Sequence, residues 1–182
     1  MNRLIHCTLL LLLICTFTFT TAGCANGQIT IGQSTVTEDD VTSLIINNEA
    51  SIKTGAQVTT TYILGTIDAS KAREAAPTIK QVATMLNEAF ASSGVKLTAL
   101  RQVAKSYIDN LTVSQATKDI AYYAAVTVLN NLEFVIETQF NKATADDKLR
   151  ATQVLLRAAS AGVIESVDKL LAPPSAQPAT TG

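Results

Sequence analysis

"IAYYAAVTVLNNL", Ile120 to Leu132, carries no charge, and its apolar side chains fall on almost every side of a helix wound at about 100° per residue. A helix that is apolar all round is either the centre of a core or a membrane span. Only thirteen residues separate Asp119 from Glu133, and a span needs about 20. The segment therefore predicts a central core helix, lying inside a longer helix over 115–140. Ser114, just ahead, is suited to cap it.

Around this centre the chain reads as helix after helix. Over 38–67, Val41, Ile45, Ile52, Ala56, Thr59, Ile63 and Ile67 share one face at helical spacing. Thr37 and Asp40 are spaced as a cap. The second half, "TGAQVTTTYILGTI", holds two glycines and several threonines, poor helix formers. It allows a break near Gly55 or a short strand. It equally allows small residues to admit another helix closely. Ile79, Val82, Ala83, Leu86 and Phe90 mark a second helix, which Pro77 either starts or kinks. Gly94 suits its stop. Leu97, Leu100, Ala104 and Ile108 mark a third helix over 97–109, with Leu111 just past it. Thr144 and Asp147 repeat the capping spacing before a last helix ending near Leu171. Its expected buried stripe is Leu149, Leu156, Ser160, Val163 and Val167. The expectation is an all-α, single-domain bundle of about five helices over 38–171, with no internal repeat. "APPSAQPATTG" reads as a disordered, proline-rich tail over 172–182.

The first residues have another character. Met1-Asn2-Arg3 carries one positive charge, and "LIHCTLLLLLICTFTF" is apolar and without Asp, Glu, Lys or Arg. Thr21, Ala22, Gly23 and Cys24 follow. A basic start, an apolar segment and a small-residue exit describe a secretory signal peptide over 1–23. Ala22-Gly23-Cys24 resembles the lipobox of bacterial lipoproteins. That resemblance implies cleavage between Gly23 and Cys24, a diacylglyceryl group on the Cys24 thiol and acylation of the new amine. The lipobox class favours Leu three residues before the cysteine, and this chain has Thr21, so ordinary cleavage after Ala22 or Ala25 is the alternative. By the same resemblance, Ala25 in place of Asp favours the outer membrane, facing the periplasm. Residues 24–37 then form the lipidated cysteine and a tether whose thirteen residues after Cys24, "ANGQITIGQSTVT", reach roughly 40 Å when extended. Stable anchoring takes about two acyl chains, and a lipoprotein carries two or three.

Composition bounds the chemistry. The cysteines are Cys7, Cys15 and Cys24, and the single histidine is His6. Beyond the signal no cysteine pair remains for a disulfide, so the body relies on its core. At about 150 residues it can bury roughly 68–70% of its unfolded surface. Without His, a Ser-His-Asp or Cys-His site cannot be assembled, nor a zinc site of His and Cys. No haem-attachment, phosphate-loop or dinucleotide motif occurs, and no cofactor or metal is expected. Arg3 is the one Lys or Arg before Cys24, so 13 basic residues face 15 acidic ones, a net charge of −2. The charges are interspersed, which argues against nucleic acid as a partner.

Several residues still deserve a chemical question. Glu133 and Glu137 share a helix face, as metal-binding or acid–base carboxylates do, yet the companion histidines are missing and a solvated face is expected. Asp39-Asp40 and Asp146-Asp147 open helices, where negative charge meets the dipole. Ser93-Gly94-Val95-Lys96 and Ser166-Val167-Asp168-Lys169 both have the Ser-x-x-Lys spacing of penicillin-recognising enzymes. Two matches without the companion motifs read as chance. Asn110-Leu111-Thr112 fits a glycosylation acceptor only in a eukaryotic secretory route. Tyr122 and Tyr123 are adjacent and so face different sides of their helix. At least one is expected in the core, and the other is a candidate to line a pocket or an interface.

The functional expectation is a lipid-anchored envelope protein, a non-enzymatic helical interaction or scaffold module. Its partners are the membrane, through Cys24, and an envelope protein or a second copy of itself. The alternatives are a binder of a small apolar ligand between helices, an enzyme built on carboxylates, Ser or Lys, a phage- or plasmid-encoded exclusion or lysis lipoprotein, and a soluble secreted form.

Overall fold

A computed structural model describes residues 38–93 and 96–173. The expected signal, Gly23 and Cys24, the tether, the Thr37 cap, the Gly94 stop and the tail beyond Pro173 lie outside the described residues. Five helices run in order: α1 Glu38–Gly65, α2 Ala69–Ser93, α3 Leu97–Asp109, α4 Gln115–Gln139 and α5 Ala145–Leu171. Among the described residues there is no strand. The body is an all-α bundle.

Side-chain pairs fix the helix directions. Arg150 meets Glu38, Lys53 meets Glu165, and Thr61 meets Ser166, so α1 and α5 run parallel. Glu74 receives hydrogen bonds from Ser114 and Thr117, which sets α2 parallel to α4. Lys80 pairs with Asp168 and Ser160 bonds to Ala83, so α2 and α5 are antiparallel. Consecutive helices therefore alternate up and down. α1, α5, α2 and α4 surround the core, and α3 packs against α2 and α4.

Local signals explain the starts of α2, α4 and α5. The Ser114 hydroxyl accepts from the Thr117 amide at 3.2 Å, and the Thr144 hydroxyl from the Asp147 amide at 3.2 Å. Each satisfies an amide with no partner inside its helix. Asp68 starts α2, accepting from both the amide and the hydroxyl of Ser70 at 2.9 and 2.6 Å. The Ser70 hydroxyl leads in holding its carboxyl below the usual range. This start puts Pro77 inside α2 rather than at its beginning, and its ring removes one backbone donor.

The break near Gly55 does not occur. α1 continues through it, with Gly55, Ala56, Thr59 and Thr60 all buried. Packing overrides the weak propensity of these residues. α1 makes its most extensive contact with α5, where Gly162 lies against the backbone of Lys53 and 3.2 Å separates Ala56 Cβ from the place a Gly162 Cβ would occupy. Small residues here let two helices approach to backbone contact.

The predicted stripes of α1 to α3 line the core, with Ile67 and Leu97 half-buried at element ends. In α5 one residue departs: Leu149 is 48% exposed. It lies four residues into α5, at the end of the bundle, whereas Leu156, Ser160, Val163 and Val167 are buried. The quoted segment of α4 is central in one sense, since α4 touches all four other helices. It is not enclosed, because Tyr123 within it is 56% exposed, and Phe134 just beyond it is 55% exposed. The helix with the most buried residues is α5, where Ala, Ser, Thr and Gly are buried alongside the leucines.

Candidate functional site

The charged candidates of α4 resolve into structure. Glu133 is half-buried and ion-paired with Arg101 of α3, whose Nε also donates to Asn130 Oδ1 at 2.9 Å. Glu137, one turn on, is exposed. The expected solvated pair is thus one structural carboxylate and one free-standing one. Asp39 and Asp40 lie in the first turn of α1, and Asp146 and Asp147 in that of α5. Among the described residues no group of three or more Asp, Glu, His or Cys side chains gathers as a metal site.

Ser166 is buried, and its hydroxyl donates to the Gln57 carbonyl at 2.8 Å and lies 3.1 Å from Thr61 Oγ1. Lys169 instead pairs with Glu165 at 2.9 Å and is 70% exposed. The Ser-x-x-Lys spacing here joins α5 to α1 and does not assemble a nucleophile with its base. The Ser93 side chain, Gly94 and Val95 fall outside the described residues. Asn110 caps α3 and its amide donates to the Ser106 carbonyl at 2.9 Å.

Glu165 sits between Lys169 and Lys53, at 2.9 and 3.0 Å. Hydrogen bonds from Lys169 first and Lys53 second pull its pKa from the ordinary 4.5 down to about 2. A depressed carboxylate stabilises the fold above its unfolded pKa, and that contribution fades as pH falls toward the folded value. Glu165→Gln is therefore expected to be less stable than the wild type above pH 4.5, with the gap closing toward pH 2. Urea midpoints measured across that range check it, and a gap independent of pH contradicts it. Glu74 is held low in the same way, by the hydroxyls of Ser114 and then Thr117.

A pocket between α2, α4 and α5, lined by Ile79, Val82, Leu86, Val128, Leu156 and Ser160, has about 20 Å³ of room. One water needs about 10–15 Å³ and a ligand pocket roughly 300–1,000 Å³. Its hydroxyl, Ser160, is already bonded to the Ala83 carbonyl at 3.1 Å. This pocket admits a water and not a ligand.

The two tyrosines separate as adjacent helical positions must. Tyr122 is half-buried and packs on the core, while Tyr123 projects outward. Thr127 and Phe134 continue the Tyr123 stripe at intervals of four and seven. On α1, Val58 and Tyr62 are 48% and 39% exposed. Sequence pattern pointed to the Tyr122–Tyr123 pair without choosing between them, and not to Phe134, Val58 or Tyr62, because the long apolar runs of α1 and α4 do not reveal which flank lacks a neighbour.

Among the described residues no helix is long and apolar enough to cross a membrane. No protein-family model matches the chain, and comparisons with curated proteins and with solved structures find no match.

Proposed function

We propose that the chain is a lipid-anchored bacterial envelope protein whose helical body is a non-enzymatic interaction module. The observation that carries this is Ala22-Gly23-Cys24 placed directly after a charge-poor apolar segment with a basic start. Acyl groups on Cys24 hold the protein to the membrane, each buried CH₂ contributing about 0.8 kcal/mol. The tether gives the bundle reach, and the periplasmic face of the outer membrane is the favoured site. The body supports the module reading through what its polar groups already do. Glu133 holds α3, Ser166 holds α1 and Glu74 holds the cap of α4. The outward side chains of α1 and α4 include Tyr and Phe, residues suited to docking.

The test is fractionation of cells producing the full chain and Cys24→Ser. The wild type is expected in the membrane fraction and released by detergent, and Cys24→Ser in the soluble fraction. Equal partitioning of the two contradicts the anchor.

A further inference from the structure

We propose that α3 is a strap that opens as a unit while the other four helices stay packed. This goes beyond the module reading and rests neither on it nor on the acyl anchor. α1, α2, α4 and α5 each touch the other three, so these four close a core among themselves. α3 packs on two of them, α2 and α4. It is the shortest helix, with 13 residues, and its buried residues are Leu100, Ala104 and Ile108. α5 buries eleven residues. The free energy of a local opening grows with the apolar surface it exposes, so the helix that buries least is the first to open.

The joints around α3 show the same division. Ser114 and Thr117, at the start of α4, donate to Glu74 of α2 at 2.8 and 2.9 Å. α4 is thereby seated on α2 directly, although α3 lies between them in the chain. At its other end α3 follows Lys96, whose side chain makes no capping hydrogen bond, so no cap there opposes release. The polar fastenings of α3 all reach α4. Arg101 pairs with Glu133 and donates to Asn130 at 2.9 Å, and Lys118 donates to the Asp109 carbonyl at 2.7 Å. Tyr122 lies on this side of α4. It stands about 20° around the helix from Glu133, and its hydroxyl, after Asp109, helps hold Lys105 of α3 above its usual pKa. Opening therefore bares Tyr122 and the faces of α2 and α4 that Leu100, Ala104 and Ile108 cover.

Native-state hydrogen exchange, resolved by residue on the exported full chain with Cys24→Ser, tests this. At low urea the slowest α3 amides are expected to exchange at least about 10-fold faster than the slowest amides of α1 and α5. Their urea dependence is expected to be below about half as steep, because less surface is exposed. Ser166→Ala separates the two openings, since the Ser166 hydroxyl joins α5 to the Gln57 carbonyl of α1 and that bond survives when α3 alone lifts. The variant is expected to speed the α1 and α5 amides about 10-fold and leave those of α3 unchanged. Arg101→Gln is expected to speed the α3 amides about 10-fold, because its bonds to α4 are lost on opening. α3 amides that exchange no faster than those of α1 and α5, with the same urea dependence, overturn the proposal. So does a Ser166→Ala variant that speeds all three helices alike, or an Arg101→Gln variant that leaves α3 unmoved. Where a variant fails to fold, the urea dependence of the parent decides alone. None of these outcomes bears on the acyl anchor, which the fractionation tests separately.

Discussion

Gly162→Ala is expected to cost about 3 kcal/mol of stability and about 10 °C in melting temperature, from overpacking at a site that cannot give way. The added methyl would press into the Lys53 carbonyl oxygen and come within 3.2 Å of Ala56 Cβ. The first of these is backbone in the middle of α1, held by its own helical hydrogen bonds and by the buried row around it. Relief requires α1 and α5 to separate, and their contact is the most extensive in the bundle. Gly65→Ala is the matched comparison. A Cβ there meets nothing within 4 Å, and alanine reduces the freedom of the unfolded chain, so stability is expected to rise by about 0.4–1 kcal/mol. Thermal melts of the two variants check the pair. If both shift alike, the α1–α5 contact is wrongly drawn.

Phe140→Ala is expected to cost about 3–5 kcal/mol. Phe140 is the largest of the fully buried side chains, 1% exposed, and it sits at the C-cap of α4 with its amide bonded to the Ile136 carbonyl at 3.1 Å. Its ring anchors the turn that reverses the chain into α5, so truncation leaves a void where two helices join. Phe134→Ala, six residues earlier on the same helix, removes the same ring from a position 55% exposed. It is expected to stay within about 0.5 kcal/mol of the wild type. Urea unfolding of both gives the contrast, and comparable losses would mean that α4 is rotated from the position described.

Reading the sequence worked where the determinant was local. The bounds of α3 came from one stripe and two breaks. Ser114 and Thr144 identified themselves as caps because a hydroxyl three residues before an unpaired amide has a definite use. The start of α2 was left between two positions by Pro77, and the earlier one holds because Asp68 accepts from the amide and hydroxyl of Ser70. The continuity of α1 was not decidable from α1 itself. Its glycine and threonines are weak in isolation and buried only because Gly162 brings α5 against them. Leu149 fits its stripe in phase, but its exposure depends on where the bundle ends. Glu133 offered a face shared with Glu137, and nothing along α4 announced that Arg101 would claim it. Tyr123 was identified as one of a pair that must diverge, whereas the bareness of its flank follows from how α1 and α3 are placed.

The location is decided by one mass spectrum of the mature chain purified from its native envelope. The expected species begins at Cys24, has no titratable thiol and is heavier than its polypeptide by a diacylglyceryl group plus an amide-linked acyl chain. A species that begins elsewhere, or that carries Cys24 with its sulfhydryl intact, removes the anchor and with it the proposed place of this bundle at the membrane.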